Sequence, residues 1–302
     1  MADHRVADHR VADHKVAHGA RNALGPASAL DSLDRRRSVG DVLAARWPKV
    51  WPPLLAIVLA LLIWQLVVLS GWKPPYVLPG PAAVFGQLAE DFVDPRFWTA
   101  MGTTMVRALL GYAVAALIGT VLGLAVARFS VLRAAIGSLI TGLQTMPSIA
   151  WFPFAILLFG LTEQAILFVI VLGAAPSIAN GVISGVDDVP PSFLKTAHVL
   201  GARGLSLLAH IVVPAALPSY LAGLKQGWAF AWRSLMAGEL LVIIAERPSL
   251  GVQLQFYREF ADATGLIAIM IVILVIGVVV DGIFNRIMND VRRRRGLGTV
   301  RL

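Results

Sequence analysis

Residues 184–214 read SGVDDVPPSFLKTAHVLGARGLSLLAHIVVP. This polar stretch stands between two long apolar blocks, at about 164–183 and 217–244. It opens on Asp187, Asp188, Pro190 and Pro191, and Ser192 is placed to cap a helix. A short helix over about Phe193–Leu200 is expected to stop at Gly201, because glycine tolerates the left-handed turn that ends helices. A second short helix then leads to Pro214, where the next apolar block begins. Phe193, Ala197 and Leu200 recur at helical spacing and form one apolar face. The stretch therefore predicts a rigid helix–turn–helix inserted between two membrane spans.

The blocks on either side fix the class. Of 302 residues, 57% are hydrophobic and 15% are charged, where a soluble domain carries about a quarter charged residues. The apolar sequence falls in long runs, as membrane helices do. Six spans are expected, at about 54–69, 103–127, 134–159, 164–183, 217–244 and 265–287. Trp47, Trp51 and Trp72 bracket the first as interfacial aromatics. Residues 73–100 are rich in proline and acids and read as a connector with one amphipathic helix near Val84–Phe92. Gly119 and Gly123 form a small-xxx-small pair in the second span, which predicts close helix packing. Pro147 and Pro153 predict a kink or break in the third, tolerated in a membrane where it lines a cavity or packs inside protein.

The formal charge is +8, and its placement orients the chain. With both termini in the cytoplasm, nineteen Lys and Arg fall inside. Five fall outside: Lys73, Arg96, Arg107, Arg247 and Arg258. This asymmetry follows the positive-inside rule, so the basic balance points to a bilayer and not to nucleic acid. Residues 1–49 form a polar, repetitive tail built on a five-residue unit, expected to be flexible and cytoplasmic. It does not read as a cleavable signal peptide. His4, His9, His14 and His18 in the repeat read as solvated residues in preference to metal ligands. Arg35, Arg36, Arg37, Arg46 and Lys49 are placed to meet anionic lipid. Residues 291–302 form a second basic cytoplasmic tail after the 50–290 membrane domain.

The absence of cysteine excludes thiolate chemistry and disulfides. The chain also lacks the phosphate loop G-x-x-x-x-G-K-[ST], H-E-x-x-H and G-x-S-x-G, so it does not read as an enzyme and is expected to bind no cofactor. Three charges fall within or near the fifth span: Lys225, Arg233 and Glu239. A charge at bilayer depth costs about 2.5–3.5 kcal/mol on insertion scales, so such residues face a cavity or a partner. Lys225 and Arg233 lie within about 80° of each other on a helix and are placed to attract an anion. Lys225 is equally readable as snorkelling to the surface, and Arg233 and Glu239 as structural charges paired to other helices. Gln144, Met146 and Trp151, near the broken span, complete the translocation-pathway candidates. Met146 and Trp151 also suit plain packing.

Lys195, Thr196, Ala197, Gly201, Ile211, Val213 and Pro214 keep the spacing of the EAA loop, E-A-A-x3-G-x9-I-x-L-P, of ABC importer permeases. Lys195 stands for the glutamate, Thr196 for an alanine and Val213 for the leucine. Pro218, Gly223, Leu224 and Trp232 continue the likeness. Leu143–Pro147, Pro153, Phe159-Gly160, Trp232-Arg233-Ser234 and Glu239 resemble the subgroup importing sulfonates, taurine, nitrate or bicarbonate. The likeness covers roughly residues 50–290.

This resemblance implies an all-α membrane protein of the type I ABC importer permease kind, with six transmembrane helices and a cytoplasmic coupling helix. That helix, within the coupling segment 187–214, would dock on a separate ATPase through Phe193, Lys195, Thr196, Ala197, Leu200, Gly201 and Pro214. ATP and Mg would sit on the ATPase, present in two copies. An extracytoplasmic solute-binding protein and a second permease copy, as a homodimer in the bacterial inner membrane, would complete the assembly. A channel or secondary transporter independent of ATP, or a membrane scaffold, remains as the alternative, but neither requires a cytoplasmic lever of this spacing, and nothing resembles inverted repeats.

Overall fold

The computed structural model describes the backbone of residues 39–294 and the side chains of 51–294 except Leu205. Every regular element among the described residues is helical. The helices are α1 (Val39–Leu69), α2 (Pro81–Val93), α3 (Pro95–Arg128), α4 (Ser130–Thr145), α5 (Phe152–Phe159) and α6 (Glu163–Asp187). They continue as α7 (Pro191–Val199), α8 (Gly204–Leu207), α9 (Val213–Leu241), α10 (Leu250–Glu259) and α11 (Ala263–Arg294). Among the described residues, five stretches are long and apolar enough to cross a membrane, and a sixth is made if the bent pair 130–145 and 148–159 counts as one span. The histidine repeat and most of both expected tails lie outside the described residues, although α1 already begins at Val39 within the expected amino-terminal tail.

The chain divides into two units, Met1–Ile63 and Trp64–Leu302. The first contributes most of α1. The second carries everything that follows, and its centre is α6. Ile166, Val169, Ile170, Ala174 and Ile178 of α6 are fully buried, with α3 and α9 packed against the helix. Lipid tails supply no hydrophobic drive between helices, so close approach must come from small residues. Gly119 and Gly123 meet that need as expected: a Cβ at either would fall 2.6–2.7 Å from the carbonyl oxygen of Ala175 or Ala179. On the other side of α6, Gly181 faces Gly223 of α9, and a Cβ on Gly181 would lie 2.6 Å from the Gly223 Cα.

The amphipathic helix expected near Val84 is α2, which buries Val84 and Leu88 against Phe97, Leu250, Ala268 and Ile269. Trp64 at the end of α1 donates through Nε1 to the Pro79 carbonyl at 3.1 Å, which fixes the turn ahead of α2.

The third span breaks at Met146–Pro147, where α4 and the 148–159 segment diverge by 106°. Pro153 does not contribute to the break. It sits in the first turn of α5, where its missing N–H has no helical partner to lose. Pro214 is likewise in the first turn of α9. The turn before it, Leu208–Val212, widens to a π-helix, which relieves the clash of a proline ring with the carbonyl four residues back. α8, this turn and α9 therefore follow one another without a gap. α10 lies in a connector where the sequence predicts no helix. Ser249 starts it, accepting from the Val252 N–H at 3.4 Å.

Candidate functional site

Three groups of polar residues are positioned by these helices. The first is α7 and its turn. Its amino end is Pro190-Pro191, with Pro191 in the first turn, so Ser192 lies inside the helix and is not its cap. Its carboxyl end is a Schellman turn: Gly201 N–H donates to His198 C=O at 3.0 Å and Ala202 N–H to Ala197 C=O at 2.9 Å. Gly201 has φ +81°, the left-handed conformation that this turn requires. Arg133 of α4 grips Asp187, the last residue of α6, through two 2.9 Å bonds. The segment thus leaves the bundle from a braced point.

The faces of α7 differ from the expected apolar stripe. Ala197 is 2% exposed and turns inward with half-buried Leu194, against the 204–212 turn. Ser192, Lys195, Thr196 and Val199 point outward, and Phe193 and Leu200 are exposed at 55% and 81%. The outward surface is therefore mixed, with a lysine among apolar groups and no acid between residues 189 and 213. Pro214 lies off this surface, in α9.

The second group is a buried ionic cluster. Glu239 of α9 is fully buried. It accepts from Arg107 Nη1 at 2.9 Å, from Thr104 Oγ1 at 2.9 Å and from the Gly251 N–H at 3.0 Å. Arg107 also donates to both carboxylate oxygens of Glu163, at 2.8 and 2.6 Å. Thr104 Oγ1 accepts from the Leu250 N–H at 3.0 Å, so the start of α10 is tied to the same cluster. A side chain on Gly251 would overlap Glu239, which leaves room only for glycine. Arg107, assigned to an outside segment by charge counting, is 4% exposed within α3. Its position inside the 103–127 apolar block was the signal that it needed a buried partner.

The third group lines a cavity of about 370 Å³ at the break in the span. Gln144, Met146 and Arg233 all line it, together with Pro147, Ser148 and Gly173. Trp151 does not. It is half-buried and sits edge-on to Phe154, 6.5 Å between ring centres. Lys225 is also elsewhere. Its ammonium pairs with Asp281 of α11 at 2.9 Å and donates to Asn285 at 2.8 Å. Glu239 and Arg233 do not pair with each other. Six positions along one helix turn them to different sides, and Glu239 is taken by Arg107.

The profile of binding-protein-dependent transport system inner membrane components matches residues 115–293. A putative ABC transporter permease of Methanocaldococcus jannaschii is 31% identical over 77% of this chain and 86% of its own. The taurine transport system permease of Escherichia coli is 27% identical over 78% and 88%. The nitrate import permease of a Synechocystis strain is 28% identical over 84% and 92%. Among solved structures, the inward-facing MetNI methionine ABC transporter has a chain aligned at TM-score 0.50 and 19% identity, over 64% of this chain and 93% of that one.

Proposed function

The chain belongs to the family of binding-protein-dependent transport system inner membrane components, and from that premise we propose that it is the permease subunit of an ATP-driven importer. The observation that carries this reading is α7. It is a nine-residue helix, braced at one end by Arg133–Asp187 and closed at the other by the Gly201 turn, with large apolar side chains left in solvent. Val199 and Leu200 are more than four-fifths exposed. Exposed apolar groups on a rigid element mark a docking surface.

The partner on this surface is an ABC ATPase, in two copies, which holds the ATP and Mg. When the two ATPases close, they draw two such levers together, and the bundles switch between inward and outward access. α6 transmits the motion. Its end lies next to the lever, α3 packs on it through Gly119 and Gly123, and α9 packs closely on its Gly181 and Gly185. One chain encloses half a pathway, so two copies form a homodimer in the bacterial inner membrane. The positive-inside count puts both termini, and α7, in the cytoplasm. A solute-binding protein delivers substrate from the other side. The substrate is a small oxyanion such as a sulfonate, nitrate or bicarbonate. The taurine and nitrate permeases support this class, since their named solutes share little beyond a delocalised oxyanion.

Co-expression with its chromosomal neighbours, followed by purification in detergent and assay for a bound ATPase, tests the reading. The expected product is a stable complex with two ATPases for two permease chains. Purification of the chain alone, together with solute flux in liposomes lacking ATP, would replace it with a channel or secondary transporter.

A further inference from the structure

Arg107, Lys225 and Arg233 are cations carried inside membrane-spanning helices of the second unit. Arg107 is held by two carboxylates and Lys225 by one. Arg233 differs. Among the described residues no carboxylate lies within 4 Å of its guanidinium, which instead sits 5.8 Å from the ring centre of Phe230. It is eight residues from the end of α9, about 12 Å along the helix and well inside the span. A charge left uncompensated at that depth is costly unless it faces water or a ligand.

Arg233 opens onto the cavity at the break in the third span. None of the residues lining that cavity is acidic. Gln144 accepts from Asn180 Nδ2 at 2.9 Å through Oε1, which orients its amide and leaves Nε2 as the free donor. Ser148 adds a hydroxyl at the first residue after Pro147. Irregular backbone at membrane depth is tolerated where it lines such a space. The wall thus sets the donors of Gln144 and Ser148 beside one permanent positive charge, in a lining otherwise mostly apolar.

We infer that this cavity is an anion-binding site of the permease itself, with Arg233 as its charged anchor and Gln144 and Ser148 as neutral donors. The inference rests on the importer reading and adds that the permease, and not the solute-binding protein alone, reads the charge of its cargo. A planar guanidinium suits a flat or tetrahedral oxyanion, to which it donates two parallel bonds.

The chain has no cysteine, so a single introduced thiol reports on the cavity without background. Full-length protein carrying Thr145→Cys, at a further residue lining the cavity, in native membrane vesicles, is labelled with a sulfonate-bearing or a trimethylammonium-bearing methanethiosulfonate. The sulfonate reagent is expected to react faster by about tenfold, the scale on which a charged cleft concentrates counter-ions. Arg233→Gln should erase that preference, Arg233→Lys should keep most of it, and added nitrate should slow labelling only when the charge is present. A preference unchanged by Arg233→Gln, or a thiol that neither reagent reaches, overturns the site. Labelling needs no ATPase. Failure to co-purify an ATPase would therefore sink the importer reading without touching this result, and the reverse also holds.

Discussion

Arg107 of α3 and Glu239 of α9 are joined by a 2.9 Å ion pair although 132 positions separate them in the chain, and neither side chain is exposed beyond 5%. The pair links two of the three central helices and, through Thr104 and Gly251, the start of α10. Removing one member leaves the other buried and unpaired, which costs about 3–5 kcal/mol. Glu239→Gln and Arg107→Gln should each lower the thermal unfolding temperature in detergent markedly. The double variant should be less destabilised than the two single effects added together. A strictly additive double variant would show that the two charges do not act on one another.

Packing of α3 on α6 makes a second, contrasting pair of substitutions. Gly123→Ala places a methyl 2.7 Å from the Ala179 carbonyl and should destabilise by about 1–3 kcal/mol through overpacking. Gly102→Ala, on the same helix with nothing within 4 Å, should be neutral or stabilising by up to about 1 kcal/mol. Thermal unfolding of both variants in one detergent checks the difference.

Gly201 sets the end of the lever. Gly201→Pro removes the N–H bonded to His198 and forbids the left-handed φ, so α7 should lose its closing turn. ATP hydrolysis coupled to transport should be abolished while membrane insertion is kept. Gly201→Asn, which tolerates the left-handed region, should retain a large part of the coupling. Equal activity in the proline variant and the parent would remove α7 from the mechanism.

Lys195 stands on the outward face of α7, with no acid between residues 189 and 213. The groove that receives it should therefore be acidic. Lys195→Glu is expected to weaken ATPase binding by about tenfold, within the range of close charge pairs at interfaces. Reversing the facing acid on the ATPase should restore it. Binding of purified ATPase to the permease, titrated at two salt concentrations, gives the readout.

The spans were legible because long apolar runs have one physical solution in a bilayer, and the Gly119/Gly123 contact because small residues at helical spacing have few other uses. The turn at Gly201 was legible for a similar reason, since its glycine and the flanking prolines constrain the backbone directly. What the sequence did not disclose was pairing between distant helices. Arg107 was counted with the outside charges although it stands in the second apolar block, and neither its partner Glu239 nor Asp281, the partner of Lys225, could be named before the fold brought the helices together. Ala197 fits an apolar stripe on paper but turns inward, because a nine-residue helix with one side on a neighbouring turn must bury something small there. The cavity was half legible: Pro147 announced the break, and the fold then placed Gln144, Met146 and Arg233 around it while leaving Trp151 outside.

The most direct test of the account is uptake by liposomes that contain the permease with its ATPase, supplied outside with the solute-binding protein and a radiolabelled oxyanion, and loaded inside with ATP or a non-hydrolysable analogue. Accumulation against a gradient with ATP, and none with the analogue or with the Gly201→Pro variant, is the predicted result. Accumulation that proceeds equally without hydrolysable ATP would contradict it.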